Sequence, residues 1–183
     1  MRGHENEPVV LARDVRAVAV PAGIEVTLRT GAVGYITQAL GGSFTVYLDG
    51  NLFRIAGEDA DALGKEAVKP PAVPPNATAE DIRNVVWDQL RSVYDPEIPI
   101  NIVDLGLVYE CDVLRNNDAT YDVNVKMTVT APGCGMGEIL VADVKEKVER
   151  IPGVRQATVD LVFDPPWNQS MMSDAARLQT GMM

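Results

Sequence analysis

At 183 residues, with 46% hydrophobic and 23% charged composition, the chain is long enough for one substantial domain or two small ones, and wholesale disorder is excluded. A formal net charge of -10 opposes a phosphate backbone, and no basic cluster with interleaved aromatics offsets it, so nucleic acid is not an expected partner. No apolar run approaches the roughly 18 residues of a membrane span, and the polar start Met1 to Glu7 is unlike a secretory signal, so a cytoplasmic setting with reduced thiols is expected.

The first predicted elements are strands. Val15 to Val20, Ile24 to Leu28, Gly34 to Leu40, Phe44 to Leu48 and Leu52 to Ile55 are short, rich in branched or aromatic residues, and broken by glycine. Asp49-Gly50 marks a tight hairpin between the last two. A short helix over 58–63 closes this small antiparallel β unit. The prolines of Lys69-Pro70-Pro71-Ala72-Val73-Pro74-Pro75-Asn76 cannot continue a helix or a central strand and favour an extended linker. The expected division is a β domain over 1–68, a linker over 69–77 and a second domain over 78–183.

Downstream, Thr78-Ala79-Glu80-Asp81 has the form of a capping box, and Ile82, Val85, Val86, Gln89, Leu90 and Val93 recur at helical spacing. A helix over 78–93 follows, stopped at Pro96, so Asp95 and Glu97 lie on a loop. Leu107, Tyr109, Cys111 and Val113 alternate with Val108, Glu110, Asp112 and Leu114 as a strand whose first set faces the core. After the turn at Asn116-Asn117-Asp118, Tyr121 to Val129 alternates as a second strand. Ile139, Leu140, Val144, Val148 and Ile151 form one face of a helix stopped by Pro152-Gly153. Ala157 to Phe163 is a third strand, and a last helix spans 170–178. The fold class is α+β: an antiparallel β domain joined through a proline-rich linker to a compact α-β-β-α-β-α domain.

Between the second strand and its helix lies Thr130-Ala131-Pro132-Gly133-Cys134-Gly135-Met136-Gly137. A cysteine at a helix start faces unpaired N–H groups and the positive end of the macrodipole, which favour the thiolate. The flanking glycines leave the sulfur uncovered. Such a thiolate can be a nucleophile, a redox switch or a metal ligand, and the bland alternative is a small buried hydrophobe. The single His4, in a polar tail, makes a Cys-His catalytic pair an unpromising reading. Cys111, by contrast, falls on the apolar face of its strand and is expected in the core. Asp95 and Glu97 can cap backbone groups of a proline turn or serve a site. Asp104 can tie down the loop before the first strand of the second domain or face water, and Trp167 is most simply an edge residue closing the core.

Asp95-Pro96-Glu97, Val103-Asp104-Leu105-Gly106-Leu107-Val108, Thr130-Ala131-Pro132-Gly133-Cys134 and Asp164-Pro165-Pro166-Trp167 occur in that order. Together they make the stretch from about Thr78 to Trp167 resemble the MIP-eighteen type domain family of iron-sulfur assembly proteins. The upstream β segment with its proline linker is similar to an extension in a bacterial member. The resemblance implies a role in maturing iron-sulfur proteins, with Cys134 as the functional thiol and Asp95 and Glu97 near it as metal-site carboxylates. Common clusters want about four thiolate or equivalent ligands, and this chain has one well-placed sulfur. An iron-sulfur cluster or iron would therefore be held transiently, completed by a homodimer, by external thiols or by a client's cysteines. The expected partners are the assembly machinery and apo iron-sulfur clients, and the chain reads as a factor and not as an enzyme. The alternative is a metal-free adaptor that docks clients to that machinery.

Overall fold

A computed structural model describes residues 6–40, 42–95, 98–131 and 137–181, and the chain divides into two compact units, 1–69 and 70–183.

The first unit is one antiparallel sheet of six strands, β1 (Glu7–Val10), β2 (Val15–Val20), β3 (Glu25–Leu28), β4 (Val33–Leu40), β5 (Ser43–Leu48) and β6 (Asn51–Ile55), in the order β1-β4-β5-β6-β2-β3. Each strand foreseen from the sequence is present. β1 was not foreseen, because Glu7-Pro8 interrupts the apolar signal. Proline is tolerated there since β1 is an edge, paired only with β4. Asp49 (φ 49°) and Gly50 (φ 84°) form the two-residue β5–β6 turn, both left-handed as a type I′ turn requires. Val9, Leu11, Val15, Ala17, Ile36, Val46, Leu48 and Ile55 form the core. The short helix expected over 58–63 is present as a 3-10 helix over Gly57–Leu63, fastened by Arg13, which reaches Asp59 (2.8 Å) and Asp61 (2.7 Å).

The second unit opens with α1 (Ala79–Leu90), where the capping box is realised in both directions: Asp81 N donates to Thr78 Oγ1 at 3.2 Å and Thr78 N to Asp81 Oδ2 at 2.9 Å. β7 (Val108–Arg115) and β8 (Tyr121–Met127) pair antiparallel, and β9 (Val154–Leu161) runs parallel to β8 on its other side. The parallel pair is joined by α2 (Gly137–Glu149), as such a pair needs a crossover. Along β8, Tyr121, Val123, Val125 and Met127 are buried with Ile82, Val86 and Leu90 of α1 and Leu140, Val144 and Val148 of α2, while Asn124 and Lys126 face water. The expected α-β-β-α-β-α order is therefore present. The predicted last helix is two pieces, a 3-10 turn (Gln169–Met171) and α3 (Asp174–Thr180), because Ser173 caps the second by accepting from Ala176 N at 3.1 Å.

One irregularity affects the predicted alternation. The β7–β8 register shifts between Val108 and Glu110, so Tyr109 sits at a bulge. It is half-buried, and its hydroxyl donates to the Pro165 carbonyl at 2.7 Å. Leu107, just before the strand, and Val113 are buried as expected, and Cys111 is half-buried against the core.

Candidate functional site

The site is built where α1 ends. Its last turn carries no basic residue, and its terminal carbonyls need partners. Lys147, from α2, reaches the chain just past that end: its Nζ donates to the Ser92 carbonyl at 2.8 Å, and Asp143 lies 3.7 Å from it. Both side chains are buried.

Past Ser92 the chain folds back on itself. Ile102 N donates to Val93 O at 2.9 Å and Asp95 N to Ile100 O at 3.1 Å, with a bridge between Tyr94 and Asn101. Asp95 stands at the head of this turn, only 3% exposed, and its Oδ1 accepts from Ile98 N at 2.9 Å. A buried carboxylate is retained where hydrogen bonds replace its water, and this one organises backbone. Asp104 also ties its loop: Asn101 Nδ2 donates to Asp104 Oδ2 at 2.7 Å, and Asp104 N to Asn101 Oδ1 at 2.9 Å. The backbone-capping reading of both residues is thus realised, and for Asp95 it coexists with burial at a loop head.

Gly106 follows with φ 76°, and a Cβ there would stand 2.2 Å from the Met171 carbonyl oxygen, so only glycine fits. Next to it, Trp167 Nε1 donates to the Leu105 carbonyl at 2.6 Å, and the ring packs against the core. Trp167 is a closing edge residue whose polar atom is already engaged.

Cys134 and Glu97 lie outside the described residues. On either side of the cysteine segment, Thr130 and Ala131 end the run from β8, and α2 begins at Gly137, three positions after Cys134. A Cβ at Gly137 would meet Leu161 Cδ2 at 2.9 Å and Val129 Cγ1 at 3.3 Å, so a bare backbone lets α2 start tight against the strands. Cys111 is chemically quiet. Burial pushes its thiol up to about 11, the nearby Asp112 charge adds to the rise, and Arg83 only partly opposes it. Among the described residues no three His, Cys, Asp or Glu side chains cluster to hold a metal.

Asp143 and Lys147 escaped the sequence reading, although a signal existed. Leu140, Asp143, Val144, Lys147, Val148 and Ile151 all fall on one helical stripe, so these two charges had to point inward with their apolar neighbours.

A family model described as iron-sulfur cluster assembly protein matches residues 83–161. A Porphyromonas gingivalis protein named Fe-S protein maturation auxiliary factor is 46% identical over 106 residues, which take in 58% of this chain and 93% of that one. The chain belongs to the iron-sulfur cluster assembly protein family. Fe-S protein maturation auxiliary factor SufT of Staphylococcus aureus is 40% identical over 90 residues, 49% of this chain and 98% of that protein. A solved structure titled as a domain of unknown function from Bacillus anthracis aligns with 36% identity and a TM-score of 0.48, covering 57% of this chain and 95% of that one. Because about 90 to 106 residues of this chain already account for 93% and 98% of the two relatives, neither has room for a counterpart of the first unit. The family model's match falls entirely within the second unit. No helix among the described residues is long and apolar enough to cross a membrane.

Proposed function

We propose that this protein is an iron-sulfur protein maturation factor that assists cluster assembly or transfer to apo clients, with Cys134 as a transient ligand of the iron or cluster it handles as cargo. The observation that carries the reading is the 46% identity across nearly the whole of a relative named as a maturation auxiliary factor. Thiol chemistry supports it. The chain has two cysteines, and Cys111, held near 11, keeps its proton at neutral pH, so any thiolate ligand from this chain falls to Cys134. In this reading Asp95 and Glu97 act with it, as the family resemblance implies, tuning the thiolate or adding oxygen ligation. One thiolate cannot fill the roughly four positions of a common cluster, so a second copy, external thiols or client cysteines complete the set. Partners are accordingly the assembly machinery and apo iron-sulfur proteins, in the cytoplasm, and the protein acts without being an enzyme.

The test is anaerobic reconstitution with iron and sulfide followed by addition of an apo client. Wild-type protein accelerates client maturation and Cys134→Ser does not. Undiminished maturation by Cys134→Ser, with client binding retained, leaves the metal-free adaptor as the surviving reading.

A further inference from the structure

The buried pair Asp143–Lys147 is used by none of the chemistry above, yet it joins the two pieces of chain on which that chemistry depends. We propose that Lys147, oriented by Asp143, is a positioning residue that locks the Asp95 turn onto α2, the helix directly following the cysteine segment. The proposal rests on the maturation reading and names a residue that reading requires.

Three observations carry it. Lys147 does not go to the surface as lysines normally do; its side chain is 9% exposed, that of Asp143 5%, and their separation is 3.7 Å. Second, the Lys147 ammonium donates at 2.8 Å to the carbonyl of Ser92, at the C-terminal end of a helix with no basic residue of its own in the last turn. A cation there satisfies the carbonyl of Ser92, two residues past the end of α1, and complements the negative end of the α1 dipole. Third, Ser92 lies directly before the fold-back, in which Val93 O, Asp95 N and Asp95 Oδ1 are spent on Ile102, Ile100 and Ile98 respectively. The path by which the chain leaves α1 for Asp95 therefore includes a contact from α2. Stability alone does not call for an ionic pair here, since an apolar pair of similar volume commonly does as well. The pair supplies a fixed angle between α2 and the acidic turn.

The experiment uses the full chain. Lys147→Met together with Asp143→Leu removes both charges and keeps the volume, so the second unit is expected to fold with its tryptophan-monitored denaturation midpoint nearly unchanged. Without the pin, hydrogen exchange at the amides of Asp95 and Ile98 is expected to rise about tenfold, and maturation of an apo client by the iron- and sulfide-reconstituted protein is expected to fall by about the same factor. A purely structural role would move the midpoint and leave the maturation rate of the folded protein alone. As a second variant, Asp143→Asn leaves Lys147 in place without its orienting charge and is expected to raise exchange and slow maturation by about threefold. Unchanged exchange at Asp95 and Ile98 in either folded variant overturns the proposal. So does raised exchange with wild-type maturation, in a preparation where Cys134→Ser abolishes it. If Cys134→Ser itself matures clients normally, it is the maturation reading that falls, and the metal-free exchange measurement tells the two failures apart.

Discussion

In the first unit the ions stay outside: Arg13 bridges Asp59 and Asp61, Arg29 meets Asp14 and Arg16 meets Glu25, all partly or fully in water, and Ser43 is its buried polar residue among those described. Its sheet instead shows apolar groups to solvent, including Val33, Tyr35, Tyr47 and Leu52. In the second unit Asp95, Thr128, Asp143 and Lys147 are buried, and the family match falls there. A buried charge costs several kcal/mol unless it is paired, so a fold retains one where geometry matters more than the cost. By that criterion the second unit holds the built machinery, and the first unit, whose interior is an ordinary apolar core, shows no buried charge among its described residues.

Removing one partner of the buried pair is the most severe way to sharpen this contrast. Lys147→Met alone takes from buried Asp143 the cation 3.7 Å away and should destabilise the second unit by about 3–5 kcal/mol, read by urea denaturation, whereas Arg13→Ala, at an exposed pair in the first unit, should have a much smaller effect. Core deletions test whether the units respond separately. Trp87 and Trp167 are the only tryptophans, so their fluorescence reports the second unit. Leu107→Ala should shift that transition by about 2–5 kcal/mol, and Ile55→Ala should leave it in place; a shift with Ile55→Ala would break the comparison. Smaller still, Thr78→Ala removes the cap of α1 and should cost about 1 kcal/mol on the same signal.

The gentlest probe is pH. The folded Cys111 thiol ionises near 11 against an ordinary 9.0, so the native state favours the protonated form. That contribution is fully present below about pH 9 and is lost as pH rises towards 11. Denaturation midpoints of wild type and Cys111→Ala should converge over this interval. In Cys134→Ser, alkylation of Cys111 should stay slow at neutral pH.

Much of this was legible. Alternation along Tyr121 to Met127 and the helical stripe of α2 announced their elements because periodic apolar residues leave few ways to be buried. Thr78 and Asp81 gave the start of α1, and Asp49-Gly50 gave its hairpin, because those backbone geometries admit few residue types. What escaped depends on neighbours distant in sequence. β1 exists because β4 offers it an edge; the bulge at Tyr109 accompanies a hydroxyl that reaches Pro165; Lys147 is buried because Ser92 awaits it. Of the candidate site, Asp95 could be placed on a loop from the prolines around it, but its burial and its bond to Ile98 N required the fold-back to be known.

The bond from Trp167 to Leu105 and the tight seat of Met171 over Gly106 have a practical consequence for where this molecule can be cut. The family model's match ends at residue 161, yet the wall of the loop preceding β7 is furnished by residues 167 to 173, down to Ser173 N donating to Asp104 O at 2.8 Å. Trimmed to the residues that model matches, the chain would lose that wall and bare the Leu105 carbonyl. The smallest autonomous version should therefore start early enough to keep Val73 and Ala77, which pack on the core and whose Ala77 carbonyl accepts from the Tyr121 hydroxyl at 2.8 Å, and run through the end of α3.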